Sequence, residues 1–151
     1  MVLLKGTDER GFVFATSYAS RKGRELEASP RAALLFYWHA LGRQVRVEGV
    51  VERVTPEESD AIFLARPRAS RISALASRQS EPLRDRAELE GRVEKLEQEL
   101  EGREVERPDF WGGYRVVPHE IEFWEHDDDR LHHRLLYRRT GDGWDVQGLQ
   151  P

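Results

Sequence analysis

The chain contains no cysteine, which excludes disulfide bonds, a thiol nucleophile and a cysteine-ligated metal site. It also lacks long apolar runs, since no stretch approaches the about 18 consecutive apolar residues that a membrane helix needs. The apolar opening from Met1 to Lys5 is too short for a signal peptide. The sequence therefore predicts a cytoplasmic protein that does not bind a membrane.

A basic excess is also absent, because the net charge is −4 over 151 residues. Nucleic-acid-binding domains usually carry a strong excess of lysine and arginine, so no nucleic-acid partner is expected. The glycine signatures of Rossmann domains, P-loop NTPases and α/β-hydrolases do not occur. The length suits one domain with one core, and we predict a single domain over residues 1–151.

Strand patterns fill the first half and the last third of the chain. We predict strands at 2–5, 12–16, 32–38, 44–54, 114–117, 120–124, 134–139 and 144–149. The run at 32–38 is apolar throughout, which predicts a strand buried on both faces. Consecutive strands with one polar and one apolar side favour a curled meander, so the predicted fold is mainly β with peripheral helices (α+β) and barrel-like.

Three helices are predicted, at 20–28, at 55–65 and from Asp85 onward. The second has a strong start signal, with Thr55 as N-cap, Pro56 in the first turn and Glu58 three residues after the cap. The third has one apolar stripe, formed by Leu89, Val93, Leu96 and Leu100. This stripe predicts a surface helix that packs along one face, with a coiled-coil partner helix as the alternative.

Basic clusters stand out against the acidic background. Arg21 and Lys22 open a helix, where free N–H groups and a partial positive charge favour phosphate, although a solvated pair is the alternative. Arg66 and Ser70 combine a guanidinium with a hydroxyl, a usual phosphate grip. Arg130, His132 and Arg134 would share one face of a strand, which is costly without an anion and therefore predicts a polyanionic ligand.

Two other kinds of site have weaker support. His126, His132 and the acidic residues 127–129 could bind a metal, but their spacing matches no standard site, so an exposed turn is favoured and no metal is expected. The aromatic residues Trp111, Phe123 and Trp124 suit either core packing or a wall for a flat ring system.

Nine short motifs follow one another along the chain. They are Val2-Leu3-Leu4-Lys5, Gly11-Phe12-Val13-Phe14, Ser20-Arg21-Lys22, Arg43-Gln44-Val45, Arg66-Pro67-Arg68, Gln79-Ser80, Phe110-Trp111-Gly112-Gly113, Ile121-Glu122-Phe123-Trp124 and Arg130-Leu131-His132. In order and spacing they resemble the pyridoxamine 5′-phosphate oxidase family over essentially the whole chain. The resemblance implies an FMN-binding split β-barrel that works as a homodimer, with two FMN sites at the subunit interface.

The resemblance also implies roles for individual positions. Those implied to contact FMN are Val2, Leu3, Leu4, Lys5, Ala15, Thr16, Arg21, Lys22, Gln44, Gln79, Ser80, Trp124 and Arg134. Those implied to contact the substrate are Lys5, Ile62, Arg66, Ser70, Arg130, Leu131 and His132. Arg130 and His132 are implied to be catalytic, because they would position the substrate over the flavin ring.

The implied reaction oxidises pyridoxamine or pyridoxine 5′-phosphate to pyridoxal 5′-phosphate. A hydride equivalent passes from the 4′ carbon to FMN, and O2 then accepts the electrons and leaves as H2O2. The flavin supplies the redox chemistry, while the protein binds and orients both molecules.

The sequence departs from the family pattern at several positions. Ala15 and Ile62 stand where the family commonly has tyrosine, and the departures cluster on the substrate side. The family also has an arginine before the first strand and a further N-terminal segment. Their absence here suggests either that a longer parent protein lost its N-terminal part or that the true start lies further upstream.

Three alternatives follow from these departures. The stretches 76–81 and 149–151 resemble the phenazine-biosynthesis oxidases, relatives that oxidise reduced tricyclic substrates with the same flavin. The second alternative is a non-catalytic split barrel that binds flavin or pyridoxal phosphate. The third is a purely structural dimer.

Overall fold

Seven strands and four α-helices make up the chain, and the computed structural model describes all residues from 1 to 151. The strands are β1 (Leu4–Asp8), β2 (Gly11–Ser17), β3 (Arg31–Trp38), β4 (Arg43–Arg53), β5 (Trp111–Glu125), β6 (His133–Thr140) and β7 (Gly143–Gly148). The helices are α1 (Arg21–Ala28), α2 (Pro56–Leu64), α3 (Arg68–Ala76) and α4 (Arg86–Glu99), with a 3-10 turn at His39–Leu41. No helix is long and apolar enough to span a bilayer.

One antiparallel sheet contains all seven strands, in the order β1-β2-β5-β4-β3, with β6 and β7 joined at β5. The 15-residue β5 is the spine of this sheet. Its first half pairs with β2 and its second half with β6, both along the edge opposite β4. The end strands β1 and β3 do not pair, so the barrel is not closed, and the prediction of a mainly β fold with peripheral helices is confirmed.

The sequence predicted two strands where the structure has the continuous β5. Pro118 interrupts the apolar pattern and has no N–H to donate, which favours a break. Instead, the strand accommodates Pro118 with a β-bulge. Gly49 lies opposite Pro118 and Glu48 lies opposite Glu120, so His119 is the extra residue of the bulge. The strand therefore runs unbroken through both halves of the sheet.

The predicted burial of strand 32–38 on both faces is wrong. In β3, Leu35, Tyr37 and Trp38 are exposed, whereas Leu34 and Phe36 pack on the core. The physical reason is that one face of β3 packs on the core cluster inside the curled sheet, whereas the side chains of its other face are exposed in the chain.

Two apolar clusters hold the elements together. One lies inside the curled sheet and includes Phe14, Val47 and Tyr114. The other joins Phe63 of α2, Ile72 of α3 and Trp111 of β5 beneath α4. Val93 and Leu96 of α4 and Leu100 at its C-cap pack onto the second cluster, which confirms the predicted one-sided surface helix.

Helix α3 was not predicted. Its N-cap position is Pro67, which makes no side-chain capping hydrogen bond, so the usual polar start signal is missing. The helix is stabilised by tertiary packing instead, since Ile72 and Ala76 are buried. Tertiary burial of this kind overrides weak local signals.

Arg115 of β5 joins three elements from a buried position, with 3% of its side chain exposed. Its Nη2 lies 3.1 Å from Asp8 Oδ2 at the β1–β2 turn and 2.9 Å from Glu58 Oε1 at the start of α2. Its Nη1 lies 3.7 Å from Glu52 Oε1 of β4. Asp8 and Glu58 compensate the buried guanidinium at close range, which such a charge requires.

We expect Glu58→Gln to lower stability at neutral pH and to flatten its acid dependence. The hydrogen bond from Arg115, followed by that from the Thr55 backbone, lowers the pKa of Glu58 to about 2 from the ordinary 4.5. The carboxylate thus contributes stability above about pH 4.5 that is lost as the pH falls towards 2. Urea unfolding at a series of pH values across this range measures the effect.

Glu57→Gln is the matched control, because Glu57 is the exposed neighbour in the same helical turn. It should leave the acid dependence unchanged. An acid slope that stays the same in Glu58→Gln would show that the Arg115 network does not couple this carboxylate to folding.

Candidate active site

A pocket of about 910 Å³ lies between the first hairpin and the second helix. We call it the β1–α2 pocket. Its lining residues are Met1, Val2, Leu3, Lys5, Ala15, Thr16, Lys22, Ala61, Ile62, Ala65, Arg66, Pro67, Ser70, Gln79 and Trp111. The pocket therefore brings together residues from both predicted sets, FMN-binding and substrate-binding.

All the charged side chains that line the β1–α2 pocket are positive. Lys5, Lys22 and Arg66 line it, and no carboxylate does. The whole chain is acidic, with a net charge of −4, so this separation of charge is local. A concave site with three cations and no compensating anion is suited to a negatively charged ligand.

Arg66 is the pocket cation with a buried and unpaired donor atom. Its Nη1 atom is buried and has no hydrogen-bond partner, and burial lowers its pKa. The guanidinium lies over the Trp111 ring at 5.0 Å and the Phe63 ring at 5.7 Å, so both rings help to hold it in place. A buried donor without an acceptor costs about 1–3 kcal/mol, so an anion at this position would be bound strongly.

Only one of the two predicted phosphate-binding residues at the start of α1 lines the β1–α2 pocket. Ser20 caps the helix by accepting from Gly23 N–H at 3.1 Å, which orients the first turn. Lys22 lines the β1–α2 pocket. Arg21 does not line it; its side chain is 80% exposed and pairs with Glu25 at 2.7 Å, an ion pair that raises its pKa.

Thr16 and Gln79 link β2 to the segment after α3. Thr16 is buried, and its hydroxyl donates to Gln79 Oε1 at 2.7 Å. Because the amide oxygen is engaged, the two N–H donors of Gln79 stay available for a ligand in the pocket. The next residue, Ser80, has a φ of 76° and lies in a separate groove with Arg78 and Arg92.

A second group of predicted residues lies across the other half of the sheet. Gln44 of β4, Trp124 of β5 and Arg134 of β6 occupy one register row. Arg134 Nε donates to Glu122 Oε1 at 2.7 Å, which raises the pKa of Arg134. His132 lies beside this row, with its ring centroid 4.7 Å from that of Trp124.

This row borders an apolar groove of about 540 Å³, which we call the β4–β6 groove. Gln44 and Trp124 line it together with exposed apolar side chains that include Trp38, Leu41 and Phe123. No residue lines both the groove and the β1–α2 pocket. Within one chain, the predicted site residues therefore fall into two separate groups, one at the β1–α2 pocket and one at the β4–β6 groove.

The predicted strand face of Arg130, His132 and Arg134 is wrong, because β6 begins only at His133. Arg130 lies in a turn with a φ of 66°, and its N–H donates to the Asp127 carbonyl at 3.1 Å. The two-residue period applies to strands alone, so it does not place these side chains. The neighbouring Leu131 is 68% exposed.

Residues on α2 extend the site beyond the predicted set. Ala61, Ile62 and Ala65 all line the β1–α2 pocket, yet only Ile62 was predicted. Helical spacing was the signal that could have found the other two, because positions three and four apart share a face. Trp111, predicted as either core or ring wall, contributes to both the second apolar cluster and the pocket.

Solved structures with the same fold define the class of protein. PhzG from Burkholderia lata 383, in complex with tetrahydrophenazine-1-carboxylic acid, superposes with a TM-score of 0.93 at 37% identity, covering 99% of this chain and 73% of that one. A pyridoxamine 5′-phosphate oxidase-related, FMN-binding protein from Nostoc punctiforme has a TM-score of 0.75 at 16% identity, covering 99% and 78%. The fold is therefore that of the FMN-binding split barrels, as predicted.

Family models and curated relatives narrow this class. The model described as pyridoxamine 5′-phosphate oxidase matches residues 1–99, and the model of the pyridoxine 5′-phosphate oxidase C-terminal dimerisation region matches residues 111–151. The chain belongs to the pyridoxamine 5′-phosphate oxidase family and is an enzyme, which sets aside the non-catalytic alternatives.

Two relatives illustrate the similarity. The pyridoxine/pyridoxamine 5′-phosphate oxidase of Rubrobacter xylanophilus is 63% identical over 150 residues, which is 99% of this chain and 69% of that protein. The protein of the same name from Anaeromyxobacter dehalogenans is 58% identical over 151 residues, which is 100% of this chain and 76% of the relative.

Proposed function

We propose that the chain is an FMN-dependent oxidase that converts pyridoxamine or pyridoxine 5′-phosphate to pyridoxal 5′-phosphate, with O2 as acceptor and H2O2 as product. The observation that carries this proposal is the unpaired, buried Nη1 of Arg66 in a pocket with three cations and no carboxylate. Relatives of this name are up to 63% identical, which supports the same reaction here. We also propose a single domain over 1–151 and a cytoplasmic location.

The β1–α2 pocket fits FMN and a phosphorylated substrate in size and charge. Its volume of about 910 Å³ is at the upper end of the roughly 300–1,000 Å³ usual for ligand pockets. Of the residues proposed to hold FMN in this half of the site, those that line the pocket are Val2, Leu3, Lys5, Ala15, Thr16, Lys22 and Gln79, and those that do not line it are Leu4, Arg21 and Ser80. Those that would hold the substrate are Lys5, Ile62, Arg66 and Ser70.

A second copy of the chain would supply the other half of the site. Gln44 and Trp124, proposed for FMN, line the β4–β6 groove, and Arg134, proposed for FMN too, pairs with Trp124 in the same register row; none of the three lines the β1–α2 pocket. The groove exposes Trp38, Leu41 and other large apolar side chains, as an oligomer interface does. The match to a C-terminal dimerisation region supports a homodimer that covers this surface.

Each group of residues then has a defined task. Bound FMN would supply the hydride acceptor, which no side chain can provide. Arg66, Ser70 and Lys5 would bind the substrate phosphate, and Lys22 would bind that of FMN. Arg130 and His132, with Leu131 beside them, would come from the second copy and orient the reacting carbon.

The test is the visible spectrum of the purified chain with FMN, recorded before and after anaerobic addition of pyridoxamine 5′-phosphate. We expect the flavin band near about 450 nm to bleach, because the bound cofactor takes up the hydride. Admission of air should then restore the band and release peroxide. A bound flavin that stays oxidised would contradict the proposed substrate, and an absence of FMN binding would contradict the cofactor.

A reduced tricyclic acid is the second candidate substrate. PhzG, described with tetrahydrophenazine-1-carboxylic acid, matches the fold with a TM-score of 0.93. The α2 wall of the β1–α2 pocket is apolar, with Ala61, Ile62 and Ala65. Faster bleaching by that acid than by pyridoxamine 5′-phosphate would favour this candidate, whereas the unpaired Arg66 favours the phosphorylated substrate.

A further inference from the structure

The turn between β5 and β6 holds two of the proposed substrate residues outside regular structure. Arg130 and His132 lie in the segment 126–132, after the end of β5 at Glu125. We infer that Asp127 is a positioning residue that fixes both of them for the reaction. This inference rests on the proposed function, since it takes Arg130 and His132 as the groups that touch the substrate.

Asp127 engages three parts of this turn at once. Its Oδ1 accepts from the Asp129 N–H at 2.9 Å, and its carbonyl accepts from the Arg130 N–H at 3.1 Å. Its own N–H donates to His132 Nδ1 at 3.2 Å. Asp127 is half-buried, whereas the side chain of Asp128 is fully exposed. The main chain of Asp127 therefore connects the backbone of Arg130 with the ring of His132, while its carboxylate closes the turn on the Asp129 N–H.

The contact with Asp127 selects one tautomer of His132. A backbone N–H can only donate, so Nδ1 of His132 must accept and carries no proton. The proton of the neutral ring is then on Nε2, which makes that atom a hydrogen-bond donor. Contact with the Trp124 ring, tilted by 46° with centroids 4.7 Å apart, restricts the orientation of the ring that carries this donor.

The same turn also sets the direction of Arg130. Its φ of 66° lies in the left-handed region, which residues with a side chain rarely adopt. Such a conformation persists only when surrounding contacts hold it, and the Asp127 carbonyl provides that contact. Without the turn, Arg130 would return to an ordinary φ and its guanidinium would point elsewhere.

The base of the turn is anchored independently of Asp127. The His126 N–H donates to the Gly42 carbonyl at 2.8 Å. Gly42 has a φ of 59°, and a Cβ atom there would lie 2.9 Å from the His126 Cβ. The end of β5 is therefore held against the β3–β4 connection, and removal of the Asp127 carboxylate should loosen the tip of the turn alone.

Three variants separate positioning from folding. Asp127→Ala should lower kcat/KM for pyridoxamine 5′-phosphate by about tenfold or more, because misplaced contacts lose rate steeply, with the FMN dissociation constant unchanged. Asp127→Asn keeps an oxygen that accepts from Asp129 N–H, so it should retain nearly full activity. Asp128→Ala, next in the same acidic run, is the matched control and should behave as the unaltered chain does.

The His132 tautomer gives a readout that does not depend on turnover. Nitrogen-15 shifts of the FMN-free protein should show the Nε2–H form in the unaltered chain and in Asp127→Asn, and a mixture in Asp127→Ala. A protonated Nδ1 in the unaltered chain, or full activity in Asp127→Ala, would overturn the inference. An unaltered chain that shows the expected tautomer but oxidises nothing would instead count against the proposed function.

Discussion

Replacing Arg66 by methionine is expected to lower kcat/KM for pyridoxamine 5′-phosphate by about 100-fold, the effect of removing one partner of a buried charge pair. Methionine keeps an apolar side chain beside Trp111 but removes the guanidinium, with its ring contacts and its unpaired Nη1 donor. A loss confined to the phosphorylated substrate would therefore identify the missing phosphate contact. Steady-state peroxide release measures it.

The phosphate itself provides the control for this prediction. Unphosphorylated pyridoxamine cannot use the contact, so the variant and the unaltered enzyme should oxidise it equally slowly. Arg66→Lys should recover only part of the activity, since an ammonium lacks the planar fork that binds two phosphate oxygens. Arg86→Ala, at an exposed arginine of α4, should change nothing. An equal loss with both substrates would show that Arg66 does not bind the phosphate.

Local chemistry explains which parts of the fold could be predicted. Ser20, Thr55 and Asp85 each cap a helix through a side-chain hydrogen bond to a nearby backbone N–H, and all three of these helices were predicted from the sequence. Helix α3 has no such cap and depends on the burial of Ile72. Its formation is set by packing between distant segments, which a single sequence does not reveal.

The site was predicted in its residue types better than in its geometry. Lys22, Arg66 and Ser70 were recognised as separate phosphate-binding features, and the structure brings all three to one pocket. The register row of Gln44, Trp124 and Arg134 depends on the pairing of Gln44 with Trp124, which is 80 residues further along the chain. Such long-range pairing has no local signal in the sequence. The turn favoured at 127–129 extends through Arg130, where a strand was expected, because the Asp127 carboxylate and carbonyl accept hydrogen bonds from the Asp129 and Arg130 N–H groups.

Two variants that are inactive alone are expected to regain activity when they are mixed, because each chain of a mixed dimer supplies what the other lacks. Arg66→Ala alters the β1–α2 pocket and Arg130→Ala alters the β5–β6 turn. If each site takes the pocket from one chain and the turn from the other, a mixed dimer has one site with both changes and one with neither. Random exchange makes about half of the dimers mixed, so peroxide release should recover to about a quarter of the unaltered activity.

The arrangement of the two groups determines this outcome, because sites built within one chain would each keep one damaged residue and recover nothing. Arg66→Ala mixed with Lys22→Ala is the matched control: both residues line the same pocket, so mixed dimers still have one change per site. Native mass spectrometry of chains that differ in isotope label confirms that exchange has occurred. Complete exchange without recovery in the Arg66 and Arg130 pair would place the pocket and the turn in the same chain's site, and the β4–β6 groove would then need another role.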